Sequence, residues 1–206
     1  TPHCVVGQCS VETLGNIFAP TSRQASCQYG IGVDGRVGMY VEEKNRSWCT
    51  SSNANDQRAV TIECASDKAE PYAMHQVVYD RLVDLCEDIC RRNGKKKLLW
   101  FGDKNKSLNY QPKADEMLIT VHRWFANKSC PGDWLYARLG DLAAKVTSRL
   151  GSGNVEVIPS GMQAGEFQGL TEEQVLAKVG PLFTADQKKS GILASVSMAQ
   201  FILESG

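Results

Sequence analysis

The stretch from residue 58 to residue 94 limits the fold more than any other. "RAVTIECA", residues 58–65, alternates and is rich in β-branched side chains, so it reads as a strand. "EPYAMHQVVYDRLVDLCEDICRRNG", residues 70–94, follows it, and there Val78, Leu82, Leu85 and Ile89 recur at helical spacing. Pro71 suits a first helical turn, Arg91 and Arg92 suit the negative end of the dipole, and Asn93-Gly94 supplies a left-handed stop. A strand feeding a long amphipathic helix is an α/β unit, because the helix must bury its apolar stripe against a sheet.

The rest of the chain extends this pattern. "CQYGIGVDGRVGMYVEE" reads as a hairpin turning at Asp34-Gly35, and Ser10 opens a short helix over "VETLGNIF". "KLLWF" and "EMLITVH" read as two further strands. "DWLYARLGDLAAKVTSRLG" reads as one helix capped by Asp133, with Leu135, Leu139, Leu142, Val146 and Leu150 on its apolar face. The order β-α-ββ-β-α-β-β-α predicts an α/β fold, a mixed central sheet with helices on its faces. After Leu150 the texture changes. Residues 151–170 are Gly-rich and read as a linker, and 171–206 read as two helices starting near Thr171 and Thr184. The expected organisation is a main domain over 1–150, a linker, and a short helical extension.

Composition excludes some functions. The 23 basic and 23 acidic residues cancel, so nothing marks a nucleic-acid binder, and Lys95-Lys96-Lys97 reads as a solvated face. No apolar stretch approaches the length of a membrane span, and no signal peptide is visible, so synthesis in the cytoplasm is expected. The 8 cysteines read as free thiols, with Cys86 and Cys90 in the core, rather than as a disulfide frame.

The chemistry rests on few residues. Of the 3 histidines, His75 reads as a surface side chain on the long helix. His3 and His122 each sit beside a β run, in "TPHCVV" and "MLITVH", and Cys130 follows His122 in "TVHRWFANKSCPGDW". Two imidazoles and a thiolate suit Zn²⁺ with a fourth position left open. Spacing alone leaves two alternatives standing: a core histidine with a core cysteine, or a thiol nucleophile at Cys27 or Cys130.

Four stretches carry a resemblance to a known family. "TPHCVV", "YGIGVDGRVGMYVEE", "SWCTSSNANDQRAVTIECA" and "TVHRWFANKSCPG" resemble, in this order and over roughly residues 1–150, the zinc amidases of the phage-lysozyme and peptidoglycan-recognition-protein family. The likeness is greatest to the amidase domains of endolysins and autolysins. It implies an amidase-like fold with His3, His122 and Cys130 as zinc ligands. It also implies that Glu63 is the general base and then acid, that Lys128 stabilises the oxyanion, and that Trp48 contacts substrate. Cleavage of the bond between N-acetylmuramic acid and L-alanine in peptidoglycan follows as the expected activity, at the bacterial cell wall. Glu63 shares a strand face with Thr61 and Ala59, opposite Val60, Ile62 and Cys64, which fits a residue pointing at a site.

Two positions depart from the family. Cys27-Gln28 stands where many members have Tyr-His or Ala-His, and Cys49 stands where many have histidine. The tail "GILASVSMAQFILESG" is similar to the opening of cell-wall glucosaminidases, with Glu204 at the catalytic position, but the chain ends two residues later. The tail therefore reads as a truncated second domain whose helices pack loosely or self-associate. Two rival readings remain: a peptidoglycan-binding module without activity, and a thiol-dependent hydrolase.

Overall fold

The computed structural model describes residues 1–151, together with 169, 171 and 173–181. The chain divides into two compact units, Thr1–Ser152 and Gly153–Gly206.

The first unit carries, in chain order, β1 (Pro2–Cys4), α1 (Val11–Phe18), β2 (Tyr29–Ile31), β3 (Val37–Met39), α2 (Asn53–Asp56) and β4 (Ile62–Cys64). It continues with α3 (Gln76–Arg92), β5 (Lys97–Leu99), α4 (Lys104–Asn109), β6 (Glu116–Leu118), α5 (Asp133–Tyr136) and α6 (Leu139–Gly151). Single 3₁₀ turns cover Thr21–Arg23 and His122–Trp124. The fold is mixed α/β, with a sheet flanked by helices.

The sheet has the order β1-β4-β2-β3. β4 lies between β1 and β2 and runs parallel to both, while β3 closes on β2 as an antiparallel hairpin. Asp34-Gly35 makes the hairpin turn, with Gly35 at φ +81°, and Asp34 Oδ1 accepts from Arg36 N at 3.1 Å. A strand paired on both sides and covered on both faces loses its polar face, and Thr61 to Ser66 are all buried. That is why "TIECAS" alternates only weakly.

β5 and β6 pair in parallel as a separate two-stranded ladder, so the mixed sheet expected to run through all strands is divided in two. Both ladders stay short. Ahead of β4, the side chain of Gln28 takes over: its Oε1 accepts from Thr61 N at 2.8 Å and from Thr61 Oγ1 at 2.6 Å.

Helix α3 packs on α6, and α6 on β5. Val78, Leu82, Leu85 and Ile89 are buried as their spacing predicts, and so are Leu135, Leu139, Leu142 and Val146. Two expectations fail locally. The long helix starts at Gln76 with His75 as its exposed N-cap, rather than near Pro71. Residues 66–75 form a loop in which Asp67 N donates to Ala73 O at 2.7 Å, and the carbonyl of Pro71 accepts from Trp134 N at 3.1 Å. The helix expected over 133–151 is two helices. Arg138 N bonds back to Leu135 O, a tightened turn, and Tyr79 Oη donates to Arg138 O at 3.3 Å. The cap is Gly132, and Asp133 is the first helical residue.

In the second unit, residues 173–181 are helical. Thr171 N donates to Gln174 Oε1 and Gln174 N to Thr171 Oγ1, a reciprocal cap at the start expected from sequence. The linker expected over 151–170 lies outside the described residues except at 151 and 169. So do the second tail helix and Glu204. Among the described residues, no helix is long and apolar enough to cross a membrane.

Candidate metal centre and cleft

Parallel pairing brings the first two side chains together. His3 on β1 and Glu63 on β4 are register partners, so both project to the same side of the sheet. His3 is 1 % exposed and Glu63 is 8 % exposed. His3 Nδ1 lies 3.9 Å from Glu63 Oε1.

The remaining donors arrive from the loop after β6. His122 begins a 3₁₀ turn rather than ending a strand, because β6 stops at Leu118. Phe125 N and Ala126 N both donate to His122 O, and Arg123 N donates to Cys130 O at 3.0 Å, which folds 122–130 into a closed loop. Gly132 anchors the far end at φ +82°, and a Cβ there would stand 2.8 Å from Pro71 O, so only glycine lets the two loops meet. Cys130 Sγ consequently lies 3.2 Å from His3 Nδ1, and the His3 and His122 rings are 5.2 Å apart at their centroids. His3, His122 and Cys130 each bring a ligand atom within 4.8 Å of the other two.

Burial tunes this cluster. It pushes His3 well below the ordinary histidine range, with His122 and the N-terminal ammonium adding to the effect. It also lowers His122, aided by Lys128. Both imidazoles are therefore held neutral, the form that ligates metal. Burial raises Glu63 to about 7, while the Cys49 thiol and Arg23 pull it back down. The Cys130 thiol is raised by its hydrogen bond with Cys4, then by burial and by Glu63.

The donor set fits a metal. Among the described residues, buried His3 Nε2 and Glu63 Oε2 have no hydrogen-bond partner. Two neutral imidazoles and one thiol make a mixed nitrogen and sulfur set, suited to a borderline cation. A second group, His3, Cys49 and Glu63, meets the same distance condition.

A cavity of about 550 Å³ opens over the cluster, and His3, Cys49, Glu63, His122, Lys128 and Cys130 all line it. Trp48, 53 % exposed, stands at its rim with Arg46 stacked 5.0 Å from the ring centroid. Arg23 also lines it. His3, Trp48, Glu63, His122, Lys128 and Cys130 thus line one cleft, whereas Cys27 is fully buried in the core. A larger cavity of about 800 Å³ holds none of the cluster's donors.

Sequence reading missed what holds the cleft's other wall. Asp56, at the end of α2, accepts from Cys49 N, Thr50 N and Thr50 Oγ1, the last at 2.6 Å. Gln28 Nε2 donates to Asn45 O, and Ser47 Oγ meets Thr61 Oγ1 at 2.8 Å. The loop carrying Trp48 and Cys49 is therefore tied to the strand carrying Glu63. The one available signal was Asp56 itself, an acidic residue shortly after a Ser/Thr-rich turn.

No curated protein matches the chain. Among solved structures, a mutant structure of PlyL is 15 % identical, covering 72 % of this chain and 83 % of that one with a TM-score of 0.46. The profile of one family spans the stretch from His3 through Asp133, and with it every donor of the cluster. The chain belongs to the N-acetylmuramoyl-L-alanine amidase family, which its residues 3–133 match.

Proposed function

We propose that this chain is a zinc-dependent N-acetylmuramoyl-L-alanine amidase of endolysin or autolysin type. It hydrolyses the amide between the lactyl group of N-acetylmuramic acid and L-alanine, at the bacterial cell wall. The observation that carries this reading is the convergence of His3, His122 and Cys130 beside the Glu63 carboxyl, at the floor of an open cleft. Residues 1–150 form the catalytic domain, 151–170 link it to the tail, and 171–206 extend it.

His3, His122 and Cys130 would hold Zn²⁺, which would supply Lewis-acid polarisation of the scissile carbonyl and of a water. Glu63 does the proton work. Its carboxylate would accept a proton from the attacking water and return it later in the reaction. The water oxygen bonds to the carbonyl carbon, the C–N bond breaks, and the proton passes from Glu63 to the departing nitrogen of L-alanine. Lys128, exposed at the cleft wall, offers a fixed cation to the developing oxyanion. Trp48 presents an aromatic face at the rim, a surface for sugar or peptide to lie against.

A thiol mechanism has less support. Cys27 is fully buried and its thiol is pushed far up by burial, so it offers no accessible thiolate. The test is cell-wall hydrolysis with a chelator or with a thiol alkylator. Activity lost to the chelator and restored by zinc is the expected result. Activity that survives chelation and dies on alkylation rejects the reading.

A further inference from the structure

The reaction above makes no use of Cys49, yet its Sγ lies 3.6 Å from Glu63 Oε1. His3, Cys49 and Glu63 bring ligand atoms within 4.8 Å of one another, and with His3 engaged by the first ion Cys49 and Glu63 are the two left to hold another. Glu63 is buried, 8 % exposed as a residue, and its Oε2 has no hydrogen-bond partner among the described residues. Cys49 and Glu63 both line the open cavity, so an ion from solvent reaches them. A thiol is a weak hydrogen-bond donor, and a buried carboxylate wants a compensating cation. A borderline or soft divalent cation satisfies both groups at once.

We infer that Cys49 and Glu63 form a second cation position beside the first, which takes Zn²⁺ or Cd²⁺ supplied in excess and stops hydrolysis when filled. The inference rests on the reading of His3, His122 and Cys130 as the ligands of the first ion. Charge permits two neighbours. One thiolate leaves the first ion with net charge +1, while a thiolate and a carboxylate bring the second to zero. The Cys49 Sγ–H proton leaves to bulk water, sulfur and carboxylate oxygen each donate a lone pair, and no oxidation state changes. Glu63, once engaged, can no longer accept a proton from water.

The test uses the full chain loaded with one zinc and titrated with Cd²⁺. Zinc and cadmium per chain, the cadmium–thiolate charge-transfer absorption and the hydrolysis rate are followed together. Wild type is expected to keep its zinc, take up one cadmium, gain one thiolate's absorption and slow about a hundredfold, as loss of a general base costs. Cys49→Ser, checked for folding by circular dichroism, is expected to keep the first ion, gain no absorption and resist the added metal relative to its own starting rate. A wild-type chain that never exceeds one ion overturns the inference, and so does a Cys49→Ser chain that binds the second as before. Cys130→Ser separates the two levels. If it leaves the first ion bound as tightly, the reading of the first centre is wrong. If it releases that ion while Cys49→Ser changes nothing, only the second position is wrong.

Discussion

His3 and Glu63 face each other as register partners across two parallel strands, Nδ1 3.9 Å from Oε1. The pairing of β1 with β4 therefore sets the distance between the residues proposed as metal ligand and proton carrier. A one-residue slip of that register would turn one of the two to the opposite face.

Glu63→Gln keeps the size of the side chain and removes its basicity. Hydrolysis is expected to fall by about 10²–10⁴, the usual worth of a general base. Zinc content, measured by atomic absorption, should stay at the wild-type level. A variant that hydrolyses normally would remove Glu63 from the reaction.

The same residue sets a pH dependence in the metal-free protein. Burial lifts its pKa from the ordinary 4.5 to about 7, so the folded state binds its proton more tightly than the unfolded chain does. The stabilising contribution is full below about 4.5 and is lost as pH rises through about 7. It amounts to roughly 3 kcal/mol. His3 and His122, both lowered by burial, slope the other way over this range, so the comparison is with Glu63→Gln: in urea denaturation of the metal-free chains, the stability of wild type relative to that variant should fall between pH 5 and pH 8.

Asp56→Ala removes the acceptor for Cys49 N, Thr50 N and Thr50 Oγ1. Leaving buried donors unpaired costs about 1–3 kcal/mol, so the denaturation midpoint should drop with little change in slope. The loop bearing Trp48 loosens with it, and hydrolysis should weaken mainly through a higher KM.

Much of this architecture was legible because periodicity carried it. The apolar stripe of α3, the Asp34-Gly35 hairpin and the Ser10 cap all follow from local chemistry. His3, Glu63, His122 and Cys130 could be matched to a family, but their approach depends on strand register and on loop closure at Gly132, which neighbouring residues do not encode. The partners of Asp56 and Gln28 were illegible for the same reason, since their hydrogen bonds serve backbone groups in other segments. The misplaced start of α3 has a distinct cause. Pro71 suits a helix start, but its carbonyl is taken by Trp134 N and the segment stays a loop.

Lys128→Ala tests the cation at the cleft wall. Removing one group that stabilises an oxyanion costs about 10²–10³ in kcat, and this exposed lysine should fall at or below the low end. KM should change little, and Lys128→Arg should recover part of the rate. A kcat equal to wild type would leave Lys128 as a solvated loop residue.

The central claim is that this cleft cuts one amide bond in peptidoglycan. Mass spectrometry of purified peptidoglycan after digestion tests it directly. Stem peptides with a free L-alanine amine are expected, with glycan strands left intact and no peptide released when a chelator is present. New reducing sugar ends, or cuts only inside the stem peptide, would contradict it.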